Sequence, residues 1–119
     1  MSASKAAAPA EKAEQYDRLV ASIPEIERKG AANPYTAVNG NMFSYLHPSG
    51  LMALRLPESD RSQFLATYSS KLFEAYGIVQ KEYVTVPEEL LANTEELRPY
   101  LEKGFAYAKS LRPKPSRKA

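Results

Sequence analysis

One histidine, His47, stands in the run HPSG, and it is the only imidazole that a reaction in this chain could use. General acid or base work would need a carboxylate partner and a pocket beside it. The neighbouring Pro48 and Gly50 instead mark a reversal of the chain, so His47 is expected as an exposed turn residue. A lone histidine gives no histidine pair for a metal. The absence of cysteine excludes thiolate ligands, disulfides and a cysteine nucleophile. The carboxylate pairs Glu88/Glu89 and Glu95/Glu96 could suggest acid–base work or a cation site. Each pair falls in the first turn of an expected helix, where the macrodipole favours negative charge, so capping accounts for them. Glu25, Glu27 and Glu82 are scattered, and no DxDxDG-type loop joins them. Serines such as Ser44, Ser49, Ser59, Ser62, Ser69, Ser70 and Ser110 occur without a GxSxG elbow. Gly30, Gly40, Gly50, Gly77 and Gly104 are isolated, so neither a P-loop nor a dinucleotide fingerprint is present. The expectation is a non-enzymatic chain with no cofactor and no metal.

Two further features could bind rather than react. Eight tyrosines offer stacking surface. Tyr16, Tyr68, Tyr100 and Tyr107 lie in helical stretches, three of them on or near apolar stripes, so packing is their expected use. The last eleven residues, KSLRPKPSRKA, hold Lys109, Arg112, Lys114, Arg117 and Lys118 and no acid. These five cations could contact phosphates without sequence preference. The bland alternative is a solvated tail. Of the formal net charge of +2, they leave eleven basic against fourteen acidic residues, or −3, for the rest. The positive charge belongs to the tail rather than to a nucleic-acid-binding fold.

The elements that must position these groups are legible from spacing. Residues 1–10 are expected to be a disordered segment, 11–112 one domain, and 113–119 a basic disordered tail. Ala13, Tyr16, Leu19, Val20 and Ile23 recur at helical spacing from about Glu11 to Ser22, and Pro24 ends that helix. Ile26 could start a short strand. Asn39-Gly40 is a strong hairpin signal, because a type I′ turn needs positive φ at both central residues. A second reversal at Pro48-Ser49 sets Tyr45 opposite Met52, Phe43 opposite Leu54, and, across the first hairpin, Val38 opposite Asn41 and Thr36 opposite Phe43. Asp60 with Gln63 suggests a capping box before Phe64, Leu65 and Tyr68. SSKLFEAYG is ambiguous between helix and loop. IVQKEYVTV, Ile78 to Val86, reads as a fourth strand. Pro87 is placed at N1 of a short helical turn. Thr94 is read as the cap of a last helix carrying Leu97, Tyr100, Leu101, Gly104, Phe105, Ala108 and Leu111. The fold class is therefore α+β: a three-stranded antiparallel meander plus a fourth strand, with about three helices, in the order α-β-β-β-α-β-α.

Alternation along the strands separates two faces. Val38, Phe43, Tyr45, Met52, Leu54 and Leu56 form the expected core face. Tyr35, Ala37, Met42, Ser44, Leu46, Leu51, Ala53 and Arg55 form the other, and on this reading Tyr35 and Tyr45 cannot share one platform. The second face is too apolar to be simply solvated. Tyr35, Met42, Leu46, Leu51 and Ala53 are its expected interaction surface, for a protein partner or for self-association.

Three stretches resemble the N-terminal domain of the TfoX/Sxy family of competence regulators. They are AVNGNMFSYL followed by LMALRL, then EYVTVPEELL, and EELRPYLEKGFAYAKSLRPKP, spanning roughly residues 25 to 115. Lys29-Gly30-Ala31-Ala32-Asn33 stands where that family has Met-Phe-Gly-Gly. The resemblance implies a compact α+β domain with a regulatory, protein-interaction role. The alternative is a nucleic-acid-associated protein acting through the tail. A third possibility is a small-molecule site between sheet and helices, for which no committed cluster is visible. No run approaches the ~20 apolar residues of a membrane-spanning helix, and MSASKAAAPAEKAEQ has no apolar leader core. A cytoplasmic, membrane-free protein is expected.

Overall fold

Two backbone irregularities in the middle of the chain decide which side chains meet. A computed structural model describes residues 9–31 and 33–113. The first helix is α1 (Ala10–Ala21), and the chain then enters the strands β1 (Tyr35–Val38), β2 (Asn41–Leu46) and β3 (Met52–Arg55). Asn39 and Gly40, at φ 56° and 77°, make the turn between β1 and β2. Val38 pairs with Asn41 and Ala37 with Met42. One step further the pairing jumps to Thr36 with Ser44, so Phe43 is the extra residue of a β-bulge. The second irregularity is the next turn. Leu46 pairs with Met52, His47 N–H donates to the Leu51 carbonyl at 2.8 Å, and Gly50 stands at φ 95°. A three-residue loop ending in a left-handed glycine therefore replaces the expected two-residue reversal.

Both irregularities change strand parity, and a one-residue slip reverses every side chain. Tyr45 faces Ala53 rather than Met52, and Ser44 rather than Phe43 faces Leu54. Phe43, Ser44 and Leu46 consequently all point into the main core, with Met52, Leu54 and Leu56. The Ser44 hydroxyl bonds Tyr16 Oη at 2.7 Å and Thr36 Oγ1 at 2.5 Å, so the core's buried hydroxyls satisfy one another. Two expectations are thereby corrected. Leu46 and Ser44 belong to the core face, and Tyr45 leaves it.

The remaining elements are α2 (Glu58–Thr67), β4 (Leu72–Ala75), β5 (Ile78–Val86), α3 (Glu88–Leu91) and α4 (Thr94–Ser110). LFEA within the ambiguous stretch is thus a strand. Tyr76-Gly77, both at positive φ (55° and 77°), turns it into β5, which makes Ile78–Val86 the fifth strand rather than the fourth. The sheet is antiparallel in the order β1-β2-β3-β5-β4, and the fold is α+β. Ile26 is buried in the core outside any named strand, and it is Lys29 that bridges to Tyr35.

Helix ends follow local chemistry. Asn93, not Thr94, caps α4: its Oδ1 accepts the Glu96 N–H at 3.2 Å, and its side-chain Nδ2 donates to Glu96 Oε1 at 3.1 Å. Pro57 and Pro87 occupy the caps of α2 and α3, and the Asp60–Gln63 box is not formed. Leu97, Leu101, Gly104 and Ala108 put α4 on the sheet. A Cβ on Gly104 would come within 2.8 Å of the Arg55 carbonyl, so only glycine allows this close approach.

The main core joins side chains of α1, α2, α3 and α4 to one sheet face. A second cluster, Ala53, Phe73 and Ala75 with Tyr45, Leu51 and Tyr83 packed on it, contains no helical residue. The described residues therefore form two layers, with one sheet face roofed by helices and the other open. No described helix is long and apolar enough to cross a membrane.

Candidate functional site

The open face is built from strand partners. The bulge at Phe43 puts Met42 and Tyr45 on this face, opposite Ala37 and Tyr35, and the β2–β3 register adds Ala53. From the far edge, Phe73 pairs with Gln80 and Ala75 with Ile78. The ring of Tyr45 sits edge-on to Phe73 at 5.6 Å and to Tyr83 at 5.8 Å, and its hydroxyl donates to Gln80 Oε1 at 2.7 Å. Tyr45 is thus the keystone that spans β2 to β5.

Beside this cluster runs a groove of about 570 Å³, walled by Tyr35, Met42, Tyr45, His47, Tyr76 and Gln80, with Pro34 and Pro48 at its rim. Tyr35 and Tyr45, expected on opposite faces, are direct cross-strand neighbours lining one hollow. Of the expected surface residues, Tyr35, Met42, Leu51 and Ala53 lie on this side of the sheet, whereas Leu46 is 1% exposed and packed under the helices. Sequence reasoning missed Tyr45, Phe73, Ala75, Tyr76, Ile78 and Tyr83. The readable signal was Tyr76-Gly77, a two-residue turn between β-prone runs.

His47 closes one end of the groove. Its Nδ1 accepts the Ser49 N–H at 3.0 Å, which places the neutral ring's proton on Nε2. That Nε2 is buried without a hydrogen-bond partner among the described residues, while the ring flanks Phe73 at 5.8 Å and Tyr76 at 5.6 Å. The residue caps its turn and packs, rather than standing exposed as expected, and no carboxylate among the described residues pairs with it.

The hairpin tip is the exposed part. Tyr76 is 85% and Ile78 66% exposed. Tyr76 also adopts the left-handed region, which costs an L-residue roughly 1 kcal/mol or more. The turn between β4 and β5 requires that φ, whereas the exposure of both side chains leaves them open to contact.

The charged cluster at the end of the sheet is fully engaged. Arg55 binds Glu82 Oε1 through Nε at 2.8 Å and Nη2 at 2.7 Å, and its Nη1 donates to the Met42 carbonyl at 3.2 Å. Its guanidinium lies 6.0 Å from the Tyr83 ring centroid and 5.7 Å from that of Tyr107. Tyr107 Oη donates to Glu82 Oε2 at 2.8 Å, and Tyr83 Oη to the Met42 carbonyl at 2.9 Å. Burial works against the Glu82 charge, but the hydrogen bonds from Tyr107 and Arg55 and the Arg55 charge outweigh it and hold the carboxyl below its usual range. Burial pushes the Tyr83 phenol up to about 12. The cluster pins α4 to the sheet and leaves no group poised for proton transfer.

The other candidates disperse. Glu88 pairs with Lys12 at 3.4 Å and Glu96 caps α4. Among the described residues no three histidine or acidic side chains are grouped to hold a metal. The carbonyls of Lys109 and Arg112 meet Asn39 and Asn41 at the β1–β2 tip, at the opposite end of the strand pair from Pro34 and His47. Lys114, Arg117 and Lys118 lie outside the described residues. No model of a known protein family matches this chain, and neither do the curated proteins nor the solved structures.

Proposed function

We propose that this chain is a non-enzymatic interaction domain of the TfoX N-terminal type that contacts protein through its open sheet face. One observation carries the reading. The face opposite the helices is apolar and aromatic, bears a groove of about 570 Å³, and ends in a projecting hairpin tip. Such a patch marks a protein contact. Its central polar pair, Tyr45 and Gln80, is spent on an internal bond, while His47 Nε2 at the groove's end has no partner among the described residues. The TfoX/Sxy resemblance, carried by the Asn39-Gly40 hairpin, EYVTVPEELL and the last helix, implies helices against an antiparallel sheet, and the α+β architecture is in keeping with it. The lack of cysteine agrees with a reducing, cytoplasmic setting. Nucleic-acid contact through the tail gains nothing from Lys109 and Arg112, which stand away from the aromatic groove.

A photo-crosslinking residue placed at Ile78 in living cells tests the reading, with the exposed α4 position Glu102 as control. Protein adducts are expected from position 78 and not from 102. An absence of adducts at 78, or equal adducts at both, would overturn it.

A further inference from the structure

We infer that the groove is a small-molecule site, built for an uncharged, flat aromatic ligand of two or three fused rings that carries a hydrogen-bond acceptor such as a ring carbonyl. The inference goes beyond the protein-contact reading, which is tested at the exposed tip, and concerns the hollow beside it.

The hollow owes its shape to an irregular strand. Leu72 pairs with Val84 but Phe73 with Gln80, so residues 81–83 of β5 fall between the two pairs and the hairpin bends there. β3 separates β2 from β5 in the sheet, yet Gln80 bonds Tyr45 at 2.7 Å and the Tyr76 ring meets His47 at 5.6 Å. The β4–β5 hairpin therefore arches over the open face, and its tip forms the wall opposite Tyr35. The enclosed 570 Å³ lies within the roughly 300–1,000 Å³ of small-molecule sites.

The wall sets the ligand's charge and shape. No acidic side chain, lysine or arginine is among the described residues that line it. A charged ligand would lose hydration there without gaining a counter-ion, a cost that an uncharged one avoids. The rings of Tyr35, Tyr45 and Tyr76 offer faces and edges to a flat aromatic molecule, and Met42 adds a polarizable sulfur.

His47 supplies the polar contact. Ser49 N–H holds Nδ1, so the neutral ring carries its proton on Nε2, and that donor is buried with no partner among the described residues. A buried donor left unpaired carries a desolvation cost that an acceptor relieves. Phe73 and Tyr76 flank the imidazole, and Tyr76, with 85% of its surface in water, is the one free to turn aside. Its rotation uncovers Nε2 toward the hollow that both residues line. An extended peptide suits this wall less well, because each of its residues brings an N–H and a C=O. The strands beneath are already paired, Tyr35 with Tyr45 and Tyr45 with Ala53, and Gln80 Oε1 is taken by the Tyr45 hydroxyl. One unmet donor matches a ligand with one acceptor.

Coumarin, a neutral two-ring molecule with a carbonyl acceptor, tests the proposal against coumarin-3-carboxylate, which adds a negative charge to the same rings. Each is titrated into the full-length chain, labelled at backbone nitrogen and methionine methyls, and followed by NMR. Coumarin should bind saturably with a Kd below about 1 mM, within reach of a molecule of its size, and shift the Met42 methyl and the amides of Tyr35 and His47. The carboxylate should bind at least about tenfold more weakly. His47→Phe keeps a flat ring but removes the donor, and should weaken coumarin about tenfold. Tyr76→Ala, at a side chain too exposed to support the fold, should weaken it about threefold. Ile78 does not line the hollow, so Ile78→Lys should bind coumarin as the wild type does. The proposal is overturned by an absence of saturable shifts, by shifts centred elsewhere, by equal affinity for the carboxylate, by unchanged binding in both His47→Phe and Tyr76→Ala, or by a loss in Ile78→Lys. A failed crosslink at position 78 bears on the protein contact alone.

Discussion

The two faces of the sheet use similar side chains to different ends. On the helix side, Phe43, Leu54, Met52 and Val84 are fully buried beneath the helices, and aromatic contacts bind helix to sheet (Phe43–Phe105, 5.7 Å) and helix to helix (Phe64–Tyr100, 5.1 Å). On the open side, Tyr45, Phe73 and Tyr83 cover one another and the backbone beneath, with no second layer. An aromatic cluster of this kind shields Ala53 and Phe73 to 0% and 2% exposure, yet leaves a groove and a protruding tip. Burial therefore does not distinguish the faces. What distinguishes them is whether removing a side chain leaves a sealed cavity or a hollow that water can enter.

That difference can be measured. Phe43→Ala should cost the most, about 3–5 kcal/mol by urea denaturation, because it removes a large apolar side chain and leaves a void that close packing cannot collapse. Phe73→Ala, though its side chain is almost as buried, should cost only about 2 kcal/mol, since the site opens to solvent and the loss is mainly one of transfer. Equal losses would erase the distinction between the faces. Gly104→Ala brings a methyl to 2.8 Å from the rigid Arg55 carbonyl. Overpacking at about 1–3 kcal/mol against a gain of about 1 kcal/mol in helix propensity leaves a net loss of about 1 kcal/mol, visible as a lower melting temperature.

The Arg55–Glu82–Tyr107 cluster, which ties α4 to the sheet end, should make a smaller and pH-dependent contribution. A carboxyl held below its ordinary value of 4.5 contributes stability that is present above that value and is lost as pH falls through the lower folded value. Glu82→Gln should flatten the acid limb of stability below about pH 4.5, by less than about 1 kcal/mol, because the 37%-exposed side chain is screened by solvent. A melting-temperature series from pH 7 to pH 3 reads this. Ile78→Lys should change monomer stability least, within about 0.5 kcal/mol by urea denaturation, as befits an exposed position. A large loss there would show that the tip belongs to the fold and not to a contact.

Much of this architecture was legible along the chain. The Asn39-Gly40 turn and the Val38–Asn41 pair follow from the conformational demands of a tight hairpin, and the stripe Leu97, Leu101, Gly104, Ala108 follows from helical periodicity. LFEA was not legible, because four residues are too few to show alternation and Leu, Glu and Ala favour helix as readily as strand. The groove was only half legible. Tyr35, Met42, Leu51 and Ala53 could be placed on this side of the sheet by alternation, but Tyr45 and Leu46 exchanged places across the bulge.

The sequence by itself determined the element types apart from β4, the hairpins at Asn39-Gly40 and near Gly50, and the absence of thiol and histidine-pair chemistry, since these depend on local backbone preference and on which functional groups exist at all. Tertiary structure alone decided that Tyr35 and Tyr45 share a hollow, that Ser44 and Leu46 turn inward, and that the described helices gather on one side. Strand parity depends on a single inserted residue, Phe43, and burying its ring against Phe105 of α4 is a long-range packing gain that no local pattern encodes.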